Sequence, residues 1–422
     1  MGKAKAPHYF RRQFERLLDE ALKTHPAVYL SGPRKAGKTT LAREVCRGNH
    51  HYTSLNSSLL LASVLDAPEP FFQSLPVKEL NIIDEAHFAA ELFRYAENRS
   101  ENNVDNSVQS SGTGYLLIGP MGRQMLFSRK AASESRVEEL TLLPFSAAER
   151  RRSETNYLRR LLIGKLIQRT FEPARLADEI ESATFPELAL NSGIDREQWF
   201  DGFLSVVLQR DIQTAAVIRN PERIVPLLVS LAARVGGLIN DASVIKETGL
   251  DAKTYAKYKA AVLYTFLTFE IEPYSGPNRV RKRLLRQSKI YFIDTNLLCY
   301  VMRQNLREVL SGDRATSGRL FENFIATEII KQAAVINGIK VRHFSLAGGS
   351  EVDFVIEAGN GAAVGIDICF KPTLSERDFS HLRTMRTAIG KNFSRGFVLY
   401  AGTEQIEFSD GLWAVPVNAL WE

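Results

Sequence analysis

The strongest constraint on this chain is a glycine-bearing segment near its amino terminus, residues 32–39, which has the sequence Gly-Pro-Arg-Lys-Ala-Gly-Lys-Thr. It fits the pattern G-x-x-x-x-G-K-[ST], in which backbone N–H groups surround phosphate groups at the start of a helix. The apolar run 27–31 predicts a buried strand before it, and residues 40–45 predict a helix after it. This order predicts an α/β domain that binds a nucleotide. The residues expected to contact ATP are Gly32, Pro33, Arg34, Lys35, Ala36, Gly37, Lys38, Thr39 and Thr40.

A second motif follows further along the chain, where the apolar run 80–83 ends in Asp84 and Glu85. In phosphate-loop proteins an aspartate at this place supports Mg2+ together with the hydroxyl group of the loop, here Thr39. Lys38 is expected to reach the β- and γ-phosphates, and Glu85 is expected to act as the general base that polarises the attacking water. A strand that ends in solvated acids is the alternative, and the phosphate loop upstream argues against it.

Length and composition limit the class of protein. A chain of 422 residues is expected to form two or three domains, and its hydrophobic fraction of 45% is typical of soluble globular proteins. No apolar run approaches the roughly 20 residues of a membrane span, and the amino terminus lacks the apolar segment of a signal peptide. The cysteines Cys46, Cys299 and Cys369 are far apart. They predict neither disulfides nor a zinc site, which favours a reducing cytoplasm.

Three domains are predicted. Residues 1–150 are expected to form a three-layer αβα nucleotide domain, residues 151–295 a mainly helical region, and residues 296–422 a second α/β domain. Within the first, the proline-bearing stretch 66–76 has no clear period and is expected to be a loop. The polar stretch 98–114 is expected to be a mobile loop.

The middle region has the pattern of a helix-turn-helix. Three helices with glycine-bearing turns are predicted between residues 222 and 266. The apolar runs 267–273 and 289–293 then predict two strands that would form a wing.

The order of these segments resembles a large family of bacterial and archaeal AAA-type ATPases. In that family a phosphate-loop domain precedes a C-terminal domain of unknown function, which is similar to a winged helix followed by a restriction-endonuclease-like fold. The resemblance covers nearly the whole chain and implies nucleotide binding by the first domain, without a settled biological role. The segments that carry it are Gly32–Thr39, Ile82–Glu85, Leu142–Ser146 with Glu149, Phe185–Glu187, Arg210-Asp211, Lys289–Asp294, Phe321–Asn323 and Gly349–Phe354.

The chain departs from this family after the strand predicted at 115–118. Members usually carry a polar sensor of the γ-phosphate there, whereas this chain has Gly119-Pro120-Met121. Proline has no N–H to donate, so hydrolysis is expected to be slow. Arg136 resembles an arginine that members carry before the Leu-x-Pro segment. It is expected to contact the γ-phosphate in cis or across a subunit interface, and a solvated or structural arginine is the alternative.

The C-terminal domain departs from an active nuclease at one position. A nuclease of this fold needs an aspartate on one strand and Glu/Asp-x-Lys on its neighbour, where the carboxylates hold a metal ion that activates water. Asp353 and Asp367 occupy the acidic positions, but Cys369 occupies the lysine position. Lys371 lies on the same strand face and is a displaced candidate. An inactive scaffold used for interaction is the favoured alternative.

The modest net charge of +6 permits nucleic-acid binding without arguing for it. Lys253, Thr254, Lys257 and Tyr258 are predicted along one side of the third helix, where they suit phosphate contacts. The basic stretch Arg279 to Lys289 is a further candidate for contact with a DNA backbone. A solvated basic hairpin, or one that docks on an acidic protein partner, is the alternative.

The preferred hypothesis is therefore a cytoplasmic AAA-type ATPase that hydrolyses ATP slowly with Mg2+ and couples its nucleotide state to a C-terminal region that binds DNA. A nucleotide-gated binding module with little turnover is the rival hypothesis. A metal-dependent nuclease that uses Asp353, Asp367 and Lys371 is the third. The sequence leaves the oligomeric state open and does not distinguish ATP from GTP.

Overall fold

The structure is a computed structural model that describes residues 9–46, 48, 50–102, 114–127, 136–213, 218, 220–276, 284–409 and 411–422, without the side chains of residues 98–102. The chain divides into two compact units, each built from separate stretches. The first unit comprises residues 1–144, 202–221 and 260–266, and the second comprises residues 145–201, 222–259 and 267–422.

A five-stranded parallel sheet forms the centre of the first unit. Its strands are β1 (Ala27–Ser31), β2 (His50–Ser54), β3 (Leu80–Asp84), β4 (Gly114–Ile118) and β5 (Glu138–Thr141). They lie side by side in the order β2-β3-β4-β1-β5, and every neighbouring pair is parallel. Strands β1 and β3 are buried throughout, as expected for the interior of a parallel sheet. This sheet confirms the predicted α/β class of the nucleotide domain.

Helices connect these strands. In this part of the chain they are Glu15–Thr24, Lys38–Val45, Ser58–Asp66, Pro68–Ser74, Glu91–Asn102 and Arg123–Leu126. Because parallel strands place their carboxyl ends at one edge, the segments that follow β1 and β3 meet there. These segments contain the phosphate loop and Asp84-Glu85.

The prediction that residues 66–76 form a loop is wrong, because a helix occupies Pro68–Ser74. Proline is tolerated in the first helical turn, where its missing N–H would have no intrahelical partner. Phe72 from this helix is 2% exposed and belongs to the apolar core of the unit. The polar stretch predicted as a mobile loop begins inside the helix Glu91–Asn102, and its residues 103–113 lie outside the described residues.

The second unit contains a seven-stranded mixed sheet and a separate two-stranded one. The strands are β6 (Arg169–Thr170), β7 (Thr268–Ile271), β8 (Lys289–Phe292), β9 (Ile339–Ser345), β10 (Glu351–Ala358), β11 (Ala363–Cys369), β12 (Phe393–Tyr400), β13 (Glu404–Ser409) and β14 (Leu412–Pro416). The larger sheet has the order β6-β13-β14-β12-β11-β10-β9, and β7 pairs with β8 in antiparallel fashion.

Most of the remaining helices belong to the second unit, and two of them also contain residues of the first unit. They are Ala147–Arg150, Tyr157–Ile163, Leu176–Ser182, Pro186–Leu190, Arg196–Val206, Ile224–Ala232, Asp241–Thr248, Ala252–Tyr264, Thr295–Met302, Leu306–Ser311, Arg314–Ala333 and Ser380–Ile389. A π-helical turn follows at Val207–Ile212. Three of these helices and the β7–β8 pair occur where the sequence predicts a helix-turn-helix with two strands. Among the described residues, no helix combines the length and apolar character needed to cross a bilayer.

Candidate active site

The phosphate loop lies at the carboxyl end of β1 and depends on two glycines. Gly32 has a φ of +140°, and a Cβ atom there would lie 2.1 Å from the carbonyl oxygen of Leu142. Gly37 has a φ of +94° and immediately precedes the helix Lys38–Val45. Both backbone conformations are easily adopted only by glycine. The glycine spacing that identifies the motif therefore matches two backbone positions, Gly32 and Gly37, that residues with a side chain do not readily adopt.

Lys38 is buried against this loop. Its ammonium group donates to the carbonyl oxygens of Gly32 and Pro33, each at 2.8 Å. Burial lowers the pKa of Lys38 to about 8, although the nearby Glu85 carboxylate favours the charged form. A buried ammonium held by neutral carbonyl groups can exchange these contacts for phosphate oxygens, which supply compensating negative charge.

The two residues predicted to hold Mg2+ are in contact. The Thr39 hydroxyl donates to Oδ2 of Asp84 at 2.7 Å, and the hydroxyl of Tyr52 donates to the same oxygen at 2.8 Å. The backbone N–H of Glu85 donates to Oδ1 of Asp84 at 2.9 Å. A hydroxyl and one carboxylate are ligands that suit Mg2+, which usually completes its shell with water and substrate phosphates. The residues present therefore fit a Mg2+–nucleotide complex.

Glu85, the predicted general base, accepts hydrogen bonds from Arg34, and Arg34 is held in turn by Asp211. Arg34 donates from Nη1 to Oε1 of Glu85 at 3.0 Å and from Nη2 to Oε2 at 3.5 Å. The same guanidinium donates from Nε and Nη2 to the two oxygens of Asp211, each at 2.6 Å. Arg34 was expected only as part of the phosphate-binding backbone, and Asp211 only as a carrier of the family resemblance. The structure places Arg34 between Glu85 and Asp211.

His87 lies beside Glu85 and is a neutral neighbour. Its Nδ1 is 3.3 Å from Oε2 of Glu85, and its side chain is 1% exposed. Burial lowers the pKa of His87 to about 3, and Arg34 and Arg210 add to this effect. The ring is therefore uncharged near neutral pH and supplies no positive charge to the site.

Arg136 is not brought to the phosphate loop of its own chain. It precedes β5, and β5 is parallel to β1 with Thr141 opposite Ser31. The loop follows the carboxyl end of β1, so Arg136 lies at the opposite edge of the sheet, about 15 Å of strand away. Its backbone N–H donates to Glu97 at 2.9 Å. Contact with a γ-phosphate across a subunit interface stays a prediction.

In the second unit, the two predicted metal-binding aspartates are neighbours, but the predicted lysine is elsewhere. Asp353 on β10 and Asp367 on β11 lie next to the register pair Phe354–Ile366. The ammonium group of Lys371 pairs with Asp378 at 2.6 Å and is half exposed. The lysine that reaches Asp353 is Lys289 of β8, at 2.7 Å. The spacing along the strand predicts Lys371 as the lysine beside the two aspartates. In the folded chain Lys289, from a distant segment, takes that place beside Asp353.

Lys289 is surrounded by further acids. Its side chain is 1% exposed and also lies 2.5 Å from Glu351 and 3.5 Å from Glu322. Burial, together with the charge of Asp353, raises the pKa of Glu322 and of Asp367 to about 7. Burial opposes ionisation of Asp353 too, but Lys289 lowers the pKa of that carboxyl group. Among the described residues, no group of three or more His, Cys, Asp or Glu side chains has an arrangement that could hold a metal ion.

The residues predicted to contact DNA differ in exposure. Lys253 and Lys257 are exposed on the helix Ala252–Tyr264, whereas Tyr258 is 5% exposed and faces the core. Of the basic stretch 279–289, residues 279–283 lie outside the described residues, Arg286 is exposed, and Lys289 is the buried lysine described above. Lys289 therefore does not belong to an exposed basic surface.

Three segments of the chain match known family models. Residues 24–151 match an AAA domain, residues 174–308 match a domain of unknown function (DUF8612), and residues 317–420 match a domain of unknown function (DUF4143). An uncharacterised protein of Mycobacterium tuberculosis strain H37Rv is 24% identical over 413 residues, which cover 97% of this chain and 84% of that protein. An uncharacterised protein of Mycobacterium bovis has the same identity and coverage.

Solved structures with related features include a Walker-type ATPase of Pyrococcus abyssi. It has a TM-score of 0.40 and 15% identity, and the alignment covers 72% of this chain and 98% of that chain. The RuvB Holliday junction branch migration motor of Thermotoga maritima has a TM-score of 0.27 and 20% identity, with 60% of this chain and 86% of that chain covered. The AAA-domain match, together with the phosphate loop and the parallel sheet described above, supports a P-loop ATPase domain of the AAA type in residues 24–151.

Proposed function

We propose that this protein binds ATP with Mg2+ through its first unit and hydrolyses it slowly. The observation that carries the proposal is the 2.7 Å contact between Thr39 and Asp84, since it joins the phosphate loop to the acidic end of β3. In P-loop NTPases, a loop hydroxyl and a strand aspartate are the two protein groups that hold the Mg2+ of the nucleotide.

Each residue then has a defined task. Lys38 binds β- and γ-phosphate oxygens, and the backbone N–H groups of the loop enclose the phosphates. Thr39 and Asp84 hold Mg2+, which when bound neutralises charge on the phosphate oxygens. Glu85 orients the attacking water and accepts its proton. Because Pro120 offers no N–H, the segment after β4 contributes little to this step, and slow turnover follows.

The test is phosphate release from ATP in single-turnover and steady-state experiments, with wild type beside Lys38→Ala and Glu85→Gln. We expect Lys38→Ala to lose tight ATP binding, and Glu85→Gln to keep binding but lose turnover. Asp19→Asn, an exposed change on the helix Glu15–Thr24, is the matched control. Normal turnover by Glu85→Gln would show that Glu85 is not the base.

A nucleotide-gated binding module is the second candidate, and the Arg34–Glu85 contact favours it. While Arg34 donates to both oxygens of Glu85, that carboxylate is occupied and is not free to orient an attacking water. Here ATP would act as a ligand that favours one arrangement of the first unit. Tight ATP binding without phosphate release, in the presence or absence of DNA, would support this candidate over the ATPase.

We also propose that the exposed side of the helix Ala252–Tyr264 contacts a DNA backbone through Lys253 and Lys257. Each phosphate contact steepens the salt dependence of binding by roughly one unit of log–log slope. Changing both lysines to alanine should weaken binding of a labelled duplex and reduce that slope by about two units. An unchanged slope would refute the contact, and binding of an acidic protein but not of DNA would support a protein partner.

A nuclease activity is supported only by the adjacency of Asp353 and Asp367. In such a site two carboxylates hold the metal ion, and a lysine stabilises charge on the phosphate. Because Lys371 pairs with Asp378, Lys289 is the lysine available near the pair. Mn2+-dependent nicking of plasmid DNA that is lost in Asp353→Ala would support this activity. Its absence from wild type would leave the second unit as a scaffold.

A further inference from the structure

Residues 119–121, which follow β4, have no side-chain donor for a γ-phosphate. The backbone N–H of Gly119 donates to the carbonyl oxygen of Leu30 at 3.2 Å, Pro120 has no N–H, and Met121 has no side-chain donor. The hydroxyl of Tyr29 is used by the carbonyl oxygen of Met121 at 2.6 Å. If this site distinguishes a triphosphate from a diphosphate, another group must do so.

Arg34 is a cation inside the phosphate loop itself. It lies between Gly32 and Gly37, and its guanidinium extends towards Glu85, the residue expected to hold the attacking water. The Arg34 side chain is 15% exposed, and that of Glu85 is 13% exposed. A guanidinium that is nearly buried, always charged and beside the expected general base has the chemistry to recognise a terminal phosphate.

The two carboxylate partners of Arg34 bind it unequally. Asp211 receives two hydrogen bonds of 2.6 Å in a two-pronged arrangement, and its side chain is 1% exposed. Glu85 receives one bond of 3.0 Å and one of 3.5 Å. Asp211 lies in the π-helical turn Val207–Ile212, a local geometry that is frequent at functional sites. Asp211 is therefore the firm anchor of the guanidinium, and Glu85 is the weaker contact.

We propose that Arg34, supplied in cis by the phosphate loop, binds the γ-phosphate beside Lys38 and distinguishes a triphosphate from a diphosphate, and that Asp211 is the positioning residue that orients it. The γ-phosphate takes the N–H groups that otherwise contact Glu85, while the two bonds to Asp211 remain. Glu85 is thereby released to hold water only when a triphosphate is bound. This inference rests on the proposed function, because it assigns the residue that reads the terminal phosphate of the same nucleotide.

Charge and donor geometry favour this exchange. A guanidinium binds phosphate through two parallel N–H bonds and has five N–H groups, so one edge can serve Asp211 while Nη1 serves the phosphate. A γ-phosphate brings more negative charge than the single Glu85 carboxylate and competes effectively for the same donors. ADP lacks this group, so ADP leaves the Arg34–Glu85 contact in place.

The experiment measures the dissociation constants of ADP and of a non-hydrolysable ATP analogue by calorimetry, with Mg2+ present. We expect Arg34→Ala to weaken analogue binding by about 10- to 100-fold, the usual value of hydrogen bonds to a charged group, and ADP binding by less than about threefold. Arg34→Lys should recover only part of the loss, and Asp211→Asn should shift the same ratio by a smaller factor. Arg16→Ala, an exposed arginine of the same unit, is the control and should change neither constant.

The outcomes are distinguishable. If wild type binds both nucleotides and Arg34→Ala weakens both by the same factor, Arg34 shapes the loop and does not read the γ-phosphate. Unchanged analogue binding in Arg34→Ala also overturns the inference. If wild type binds neither nucleotide, the proposed function itself fails, and this inference fails with it. Circular-dichroism melting of each variant shows whether a loss of nucleotide affinity comes from unfolding. If Arg34→Ala is unfolded, the ratio of analogue to ADP affinity is measured instead in Arg34→Lys, which retains the charge.

Discussion

Replacing Lys289 by methionine is expected to destabilise the second unit by about 3–5 kcal/mol at pH 8. The ammonium group is buried and faces Glu351 at 2.5 Å, Asp353 at 2.7 Å and Glu322 at 3.5 Å. At an effective dielectric constant of about 20, two unit charges about 3 Å apart attract by roughly 5–6 kcal/mol, and desolvation offsets most of that gain. Methionine fills a similar volume without charge. Asp353 and Glu322 then keep only neutral hydrogen-bond donors, the N–H of Ile368 and the hydroxyl of Tyr291, and the loss of their cationic partner is the larger part of the cost.

Urea unfolding followed by tryptophan fluorescence measures this change. All three tryptophans, Trp199, Trp413 and Trp421, lie in the second unit, so the signal reports on that unit alone. Lys340→Met removes an exposed lysine from β9 of the same unit and is the matched control. The control should stay within about 0.5 kcal/mol of wild type.

The pH dependence of the stability difference between wild type and Lys289→Met gives a second check. In the folded chain the pKa of Glu322 and of Asp367 is raised to about 7, mainly by burial. A carboxyl group with a raised pKa contributes its stability fully below its unfolded pKa of about 4, and that contribution is lost as pH rises through about 7. Without Lys289 these acids protonate still more readily. The destabilisation by Lys289→Met should therefore shrink as the pH falls from 8 to 5.

Two results would refute this reasoning. A loss below about 1 kcal/mol at pH 8 would show that water, not the lysine, compensates the acids. A loss that is equal at pH 5 and pH 8 would show that the methionine disturbs packing and not charge. Adding Asp353→Asn to Lys289→Met provides an internal test, because removing one buried charge should restore part of the stability.

Three further outcomes are expected. Gly32→Ala should abolish tight nucleotide binding, because the added Cβ would lie 2.1 Å from the carbonyl oxygen of Leu142. Gly193→Ala adds a Cβ with nothing within 4 Å and should leave nucleotide binding unchanged, as measured by calorimetry. Since burial lowers the pKa of Lys38 to about 8 and the charged form binds phosphate, the affinity for ATP should fall as the pH rises from 7 to 9, and Lys38→Arg should flatten the profile. Tyr52→Phe removes a donor from Asp84 and should change the Mg2+ dependence of nucleotide binding by about tenfold or less, as seen in a magnesium titration.

The phosphate loop and its metal-binding partners could be predicted because their signals are local. The spacing of Gly32 and Gly37 encodes a backbone that only glycine adopts easily, and an apolar strand that ends in Asp84 identifies the second half of the site. The helix Pro68–Ser74 is not predicted, because its local sequence signal points to a loop and its helical structure depends on packing. Its prolines favour a loop by composition, and burial of Phe72 in the core decides the outcome.

Contacts between distant segments could not be predicted in this way. Arg34 and Asp211 are 177 positions apart, and nothing near Asp211 in the sequence marks it as the partner of a loop arginine. Lys289 and Asp353 are 64 positions apart, while Lys371 had the favourable spacing on a strand. Many acidic and basic residues of the chain could form ion pairs. The path of the folded chain decides which of them come into contact.

Arg34 and Lys289 both pair with carboxylates, but only the contacts of Arg34 leave donors that a ligand can use. Lys289 is 1% exposed and has three carboxylates within 3.5 Å of its ammonium group. Arg34 has five donors, gives its short bonds to Asp211, and offers its longer ones to Glu85 at 15% exposure. A ligand can take the longer bonds of Arg34 without freeing a buried carboxylate at Asp211. A ligand at Lys289 would leave Asp353 without its cationic partner, so the proposed γ-phosphate contact is assigned to Arg34.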